Sequence, residues 1–234
     1  MKLLLTSGGI SNQSIRDAVV ELLGKPIEES AALCIPTAQY GHPWTTPQTA
    51  WNFVAGKYPS NMTNAGWKSV GTLELLAIAG MDKARWVPWL DAADVLLMDG
   101  GDAVYLKHWL LESGLWAELE NRPDLVWIGV SAGSMVLTPR IGEYFMNWTP
   151  SVLAESTDAL QPADAALGVV DFSIFPHLNH PDMPSNNLEN AQKWFERIGG
   201  DAYAMDDSSA ISIVDGNRSI ITEGTCVRLG GDLS

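Results

Sequence analysis

A glycine-rich segment with a central serine is the feature of the sequence most typical of covalent chemistry. It reads Gly129-Val130-Ser131-Ala132-Gly133 and begins at the end of the apolar run 125–130. A serine in this spacing can be the nucleophile of acyl transfer, because small neighbours allow a tight turn between a strand and a helix. The backbone N–H of Ala132 would then be one donor to the oxyanion. The alternative is an ordinary strand-to-helix turn with a capping serine, and the strand–turn–helix context favours the nucleophile.

A second glycine turn follows another short apolar run, 95–98, and contains Gly100 and Gly101. Glycine lets the backbone approach a ligand closely, so this turn is a natural source of the second oxyanion donor. An ordinary turn between a strand and a helix is the alternative. The nearby elbow at Ser131 favours the functional interpretation.

A serine nucleophile needs a general base, and the chain has four histidines. His177 directly follows a buried strand, where it could face Ser131. His180 lies three residues further on and is the second choice, as an exposed group or a substrate contact. His42 lies in a polar loop that could line a cleft, and His108 lies in the middle of a predicted helix, where packing or surface exposure is expected.

The base in turn needs an acceptor that fixes its tautomer, which is normally a carboxylate. Asp206 and Asp207 lie in a turn ahead of a predicted strand. Taken alone, they are typical of two solvated turn carboxylates. From the residues alone, either of them could orient the histidine.

Strands that alternate with helices must position these groups. The strands are apolar throughout, which is typical of a parallel sheet covered on both faces. Functional groups in such sheets gather at the carboxyl ends of the strands. The pattern predicts strands at residues 2–6, 31–36, 70–76, 95–98, 125–130, 169–176 and 210–214, and helices at 12–23, 47–54, 103–111 and 187–198. A further helix is predicted to start at residues 135–137, and Asp215-Gly216 predicts a hairpin turn to a partner strand at 218–222.

Composition limits the class of protein. The chain has 234 residues, of which 46% are hydrophobic, and we expect one α/β domain over residues 1–234. A formal net charge of −14 disfavours nucleic acid and anionic membranes as partners. No signal peptide, membrane span, metal motif or cofactor motif is evident, so a cytoplasmic location without metal or cofactor is expected. Cys34 is predicted to be a buried, reduced thiol.

Taken together, the motifs resemble the peptidase E family of serine peptidases, which includes aspartyl dipeptidases and, more distantly, cyanophycinases. The matching segments occur in the family's order and span nearly the whole chain. They are Leu3-Leu4-Leu5-Thr6-Ser7, Met98-Asp99-Gly100-Gly101-Asp102, Gly129-Val130-Ser131-Ala132-Gly133-Ser134, Phe175-Pro176-His177-Leu178-Asn179 and Asp206-Asp207-Ser208-Ser209-Ala210-Ile211.

The resemblance implies a three-layer α/β sandwich with a mostly parallel central sheet, similar to class I glutamine amidotransferases. It implies Ser131 as nucleophile, His177 as base and Asp207 as the third member, where aspartyl dipeptidases usually carry glutamate. Gly100 or Gly101 would form the oxyanion hole with Ala132. The implied reaction is hydrolysis of a peptide or related amide bond through an acyl-enzyme.

One departure concerns the substrate. Aspartyl dipeptidases carry an arginine shortly after the histidine that binds the acidic side chain, whereas residues 181–192 contain no Lys or Arg. Without that guanidinium a bidentate charge-assisted contact is lost, so specificity for N-terminal aspartate does not follow.

Two further hypotheses remain open: a catalytically silent binding or regulatory domain of the same fold, and a glutamine amidotransferase-like role. The second is disfavoured because the elbow carries serine instead of cysteine. We expect a small peptide as substrate and leave open whether two copies form a homodimer.

Overall fold

A computed structural model describes residues 1–148 and 162–230. Ten strands and eight α-helices are found in this part of the chain. The main sheet contains seven strands in the order β3-β2-β4-β5-β1-β8-β9. Its strands are β1 (Lys2–Thr6), β2 (Ala31–Ile35), β3 (Ser69–Thr72), β4 (Val95–Met98), β5 (Val126–Val130), β8 (Ser209–Val214) and β9 (Asn217–Thr222).

Five neighbouring strands of the main sheet, from β3 to β1, run parallel. β8 and β9 continue the sheet in antiparallel orientation and are joined by the predicted turn at Asp215 and Gly216. Both turn residues have positive φ, of 50° and 78°, which suits the Asp-Gly hairpin signal. The mostly parallel central sheet predicted from the sequence is therefore confirmed.

A second sheet was not predicted. It pairs β6 (Phe172–Phe175) in parallel with β7 (Asp201–Met205), and β7 in antiparallel with β10 (Cys226–Leu229). The apolar run 169–176, predicted as one strand, contributes only the four residues of β6.

Helices cover both faces of the main sheet because its strands are apolar on both faces. Along β1, Leu3 and Leu5 pack into one hydrophobic cluster, and Leu4 packs into the other. The helices are α1 (Gln13–Leu23), α2 (Pro47–Val54), α3 (Leu75–Ile78), α4 (Val87–Asp91), α5 (Ala103–Glu112), α6 (Leu115–Leu119), α7 (Ala132–Met135) and α8 (Leu188–Ile198).

Two local predictions differ from the structure. The run 70–76 was predicted as one strand, but it contains β3, a break and the start of α3. The Glu74 side chain accepts a hydrogen bond from the Leu76 N–H, which caps the first turn of that helix. The helix expected to begin near residue 135 instead begins at Ala132 and ends at Met135.

Cys34 is buried and carries a free thiol, as predicted, and Cys226 is free as well. No helix in residues 1–148 or 162–230 is long and apolar enough to cross a membrane.

Candidate active site

Ser131 lies in a sharp turn directly after β5. Its backbone adopts φ 51° and ψ −112°, a strained conformation for a residue with a side chain. The Ser131 N–H donates to the Thr6 carbonyl at 3.1 Å, which ties the turn to β1. A side chain at Gly129 would collide with the Gly133 carbonyl, and one at Gly133 with the Met98 carbonyl. The two glycines therefore allow the close packing that holds Ser131 in this conformation.

His177 and Asp207 come from the second sheet. The parallel pairing of β6 with β7 sets the ends of these strands side by side, and each residue follows its strand by two positions. His177 Nδ1 lies 2.7 Å from Asp207 Oδ1. A carboxylate at this distance holds the imidazole with its proton on Nδ1, so that Nε2 can accept a proton.

Ser7, at the end of β1, joins this pair and was not predicted to have a role. Its hydroxyl donates to Asp207 Oδ1 at 2.9 Å and accepts the His177 backbone N–H at 2.7 Å. Ser7 is fully buried. It therefore links the main sheet to both residues from the second sheet. The sequence signals were its position at the carboxyl end of a buried strand and its place in the family-like segment Leu3-Leu4-Leu5-Thr6-Ser7.

The loop that carries Asp207 is held by the segment after β1. Ser11 Oγ donates to the Asp207 carbonyl at 2.6 Å, and Asn12 Nδ2 donates to the Ser208 carbonyl at 2.9 Å. A Cβ at Gly8 would lie 2.5 Å from Asp207 Cβ, so only glycine permits this approach.

Asp207 is ionised more readily than an ordinary aspartate. Burial opposes its ionisation, but the hydrogen bond and charge of His177, the Ser7 hydroxyl and the nearby His180 outweigh that effect and lower the pKa of Asp207. The carboxylate form is the one that accepts a proton-bearing Nδ1.

Asp206, the alternative acid, points elsewhere. Its Oδ1 accepts the Ser208 N–H at 3.0 Å and the Ser209 hydroxyl at 2.7 Å, and its Oδ2 accepts the Thr225 N–H at 2.5 Å. Asp206 therefore connects the turn between β7 and β8 to Ser209 at the start of β8 and to Thr225, directly before β10. The histidine contact belongs to Asp207.

The other histidines are distributed as follows. His180 Nε2 lies 3.6 Å from Asp207 Oδ2, whereas His177 contacts the other carboxylate oxygen, Oδ1. His42 lines the same cavity. Burial lowers the pKa of His42, although the nearby charge of Asp102 acts in the opposite direction. His108 packs against the rings of Trp109 and Trp148.

Ser131 and His177 line one cavity without a direct hydrogen bond. Within residues 1–148 and 162–230, neither Ser131 Oγ nor His177 Nε2 has a hydrogen-bond partner. Catalytic hydrogen bonds are commonly long in unliganded enzymes and tighten around the substrate.

The two glycines of the second turn have different roles in the structure. The Gly100 N–H donates to Asp99 Oδ1 at 2.7 Å and is therefore occupied. In the described part of the chain, the backbone N–H groups of Gly101 and Ala132 have no partner. Gly100 instead provides space, because a Cβ there would lie 3.6 Å from Ser131 Cβ.

The shared cavity has a volume of about 900 Å³, a size that suits a small ligand. Its described lining includes three carboxylates, Asp99, Asp182 and Asp207, and contains no Lys or Arg. Lys193 on α8 pairs with Glu189 at 2.6 Å, outside the cavity. No group of three or more His, Cys, Asp or Glu in the described ranges could hold a metal ion.

Comparisons with known proteins support the same fold. No curated protein matches the chain in sequence. The fold resembles a protein provisionally described as peptidase E from Listeria monocytogenes EGD-e, with a TM-score of 0.63, 19% identity, and coverage of 95% of this chain and 98% of that one. It also resembles a peptidase from an acI-B1 actinobacterium, with a TM-score of 0.65, 16% identity, and coverage of 98% and 95%.

The sequence itself carries a family signature over nearly its whole length. The family model described as peptidase family S51 matches residues 3–221. That span contains the serine elbow, the second glycine turn at Gly100 and Gly101, and the His177–Asp207 pair. The chain therefore belongs to peptidase family S51.

Proposed function

We propose that the chain is a serine peptidase that hydrolyses short peptides through an acyl-enzyme. Ser131 Oγ attacks the scissile carbonyl while His177 Nε2 takes its proton. The imidazolium then gives that proton to the leaving amine as the C–N bond breaks. Water hydrolyses the resulting ester with the same histidine as base.

The contact between His177 Nδ1 and Asp207 Oδ1, at 2.7 Å, carries this proposal. It leaves Nε2 as the basic nitrogen of an imidazole that lines the cavity containing the strained Ser131. A serine in a solvated turn would need neither the strained backbone nor an oriented imidazole. In this scheme Ser7 is a positioning residue, which acts through Asp207 and the backbone of His177.

The oxyanion donors in this proposal are the N–H groups of Gly101 and Ala132. Ala132 directly follows Ser131, Gly101 lines the same cavity, and neither N–H has a partner in the described residues. A developing negative charge would be stabilised by two such preorganised donors. The Gly100 N–H already donates to Asp99 Oδ1, which favours Gly101 over Gly100 as the second donor in this proposal.

We further propose that the substrate is a dipeptide or similarly short peptide whose first residue is not acidic. A cavity of about 900 Å³ accommodates a ligand of this size. An aspartyl side chain there would meet carboxylates and, among the described lining residues, no cation. Desolvating a carboxylate without a partner is costly, so acidic first residues are disfavoured.

Hydrolysis of a dipeptide panel tests this function. The panel compares Asp-X with neutral and basic first residues, using wild type, Ser131→Ala and Ser60→Ala. Ser60 lines the same cavity, and its buried hydroxyl has no partner in the described part of the chain, so Ser60→Ala is a matched control.

We expect turnover by wild type and Ser60→Ala, none by Ser131→Ala, and the slowest turnover on Asp-X. Equal turnover by Ser131→Ala would rule out the serine mechanism. A preference for Asp-X would contradict the specificity.

A further inference from the structure

Asp99 is a buried carboxyl group in the lining of the cavity. It directly follows β4, is 1% exposed, and contributes to the cavity lining. Its Oδ1 accepts the Gly100 N–H at 2.7 Å, and its Oδ2 accepts Gln39 Nε2 at 2.9 Å. Asp99 forms no ion pair with any described residue. The proposed reaction gives this acid no task.

Two hydrogen bonds do not saturate the carboxylate. Each oxygen can accept two, so one acceptor position on each remains open. Burial, partly offset by the bonds from Gln39 and Gly100, raises the pKa of Asp99 to about 8. An ionised carboxylate that is buried this deeply is therefore stabilised by a cation, which would reach it through the cavity.

The position of Asp99 limits which cation can do so. Asp99 Oδ1 bonds to the Gly100 nitrogen, and a Cβ on Gly100 would lie 3.6 Å from Ser131 Cβ. With standard backbone dimensions, Asp99 Oδ1 lies no more than about 9 Å from Ser131 Cβ. The α-nitrogen of a peptide's first residue is two bonds from the first carbonyl carbon. The Ser131 Cβ–Oγ bond, the approach of Oγ to the carbonyl carbon, the two bonds to the α-nitrogen and one hydrogen bond together extend to about 8–10 Å. The amine can therefore reach Asp99 while Ser131 attacks that carbonyl.

The charge of the cavity favours the same group. Besides Asp99, the described lining contains Asp182 and Asp207 and lacks Lys and Arg. A protonated amine is therefore attracted to this cavity, and a carboxylate is repelled from it.

We propose that Asp99 binds the α-ammonium group of the substrate's N-terminal residue and so restricts hydrolysis to the first peptide bond of a free N-terminus. This deepens the proposed function and rests on it. Gln39 and the Gly100 N–H hold the carboxylate in place. Because the same two bonds fix the glycine turn, the ammonium and the scissile carbonyl are positioned by one element.

Binding measurements on Ser131→Ala test the proposal without turnover. Calorimetry compares Ala-Phe with N-acetyl-Ala-Phe, and Lys-Phe with N-acetyl-Lys-Phe. A charge-assisted hydrogen bond predicts that each free amine binds at least about tenfold more tightly than its acetylated partner. In the same Ser131→Ala background, Asp99→Asn should reduce that ratio to about threefold or less, whereas Asp124→Asn, which replaces an exposed carboxylate outside the cavity, should retain it.

Proton release gives a second readout that leaves Asp99 intact. At pH 6 the Asp99 carboxyl is neutral and the peptide amine is protonated, so binding should release up to one proton to the buffer. The groups that face Asp99, Cys34 and Tyr58, have pKa values raised by burial and stay protonated at this pH. Calorimetry in buffers of different ionisation enthalpy counts the protons. The acetylated peptide should release none.

Several results would overturn the proposal. These are equal affinity for free and acetylated peptides, no binding of either, no proton release, or an unchanged ratio in Asp99→Asn. Tight binding of N-acetyl-Lys-Phe that depends on Asp99 would assign the site to a side-chain amine instead. Labelling of wild-type Ser131 by a phosphonate, measured separately, shows whether the proposed hydrolase stands when this inference fails.

Discussion

Replacing Asp99 with asparagine tests how strongly burial raises the pKa of this carboxyl group in the cavity lining. The carboxyl is 1% exposed and has a pKa of about 8, raised chiefly by burial. Asparagine has the same shape and no charge. The Gln39 amide can turn over and present its oxygen to the new amide. The substitution therefore removes one titrating group with little change in packing.

The pH dependence follows from the two pKa values. The folded carboxyl keeps its proton up to about pH 8, whereas the ordinary value is 3.8, so the folded state binds more protons between these limits. The stability contributed by this group is complete below pH 3.8, declines as the pH rises, and is lost above pH 8. At about 1.4 kcal/mol per pKa unit, the loss between pH 5 and pH 8 is about 4 kcal/mol.

Urea unfolding followed by tryptophan fluorescence measures this effect. Because Asp99→Asn lacks the titration, its free energy of unfolding should rise relative to wild type by about 4 kcal/mol from pH 5 to pH 8. Groups common to both proteins cancel in the difference, and Cys34 and Tyr58 remain protonated over this range. If Asp99→Asn differs from wild type by a constant amount, burial does not raise the pKa of Asp99.

Four further substitutions, one of them a control, test the proposed site. Asp207→Asn should lower kcat by about 10⁴-fold because it disturbs the imidazole tautomer. The control Asp206→Asn should leave kcat unchanged and lower the urea midpoint of unfolding. Equal losses of kcat in the two variants would contradict the assignment of Asp207. Ser7→Ala removes a hydrogen bond to the Asp207 carboxylate and should lower kcat about tenfold with little change in KM; a change in KM alone would argue against a positioning role. Gly101→Ala places a methyl at φ 132° against the Ala38 carbonyl and should lower both kcat and the melting temperature, so a fully active, equally stable variant would show that the turn tolerates a side chain.

The main sheet was predictable because each of its central strands is a short, continuous apolar run. Parallel strands buried on both faces have this pattern, and β1, β4 and β5 match it closely. The run 70–76 failed because short apolar stretches do not distinguish strand from helix. The second sheet could not be predicted, since its pairing joins β10 to β7 through contacts that no local pattern encodes.

The candidate site was predictable in its residue types and less so in its contacts. Ser131 and His177 were predicted from motif and position, whereas the choice of Asp207 over Asp206 came from the family resemblance. Which atoms are free was not predictable, because the capture of the Gly100 N–H by Asp99 depends on side-chain geometry. The role of Ser7 likewise depends on how two sheets meet, which a single sequence does not report.

Labelling with an active-site phosphonate tests the central claim most directly. Wild type is treated with a dipeptidyl phosphonate, and the modified peptide is identified by mass spectrometry, with and without competing dipeptide. The account predicts a single adduct on Ser131, suppressed by the dipeptide and absent from His177→Ala. An intact, folded protein with no adduct, or with an adduct on another serine, would contradict it.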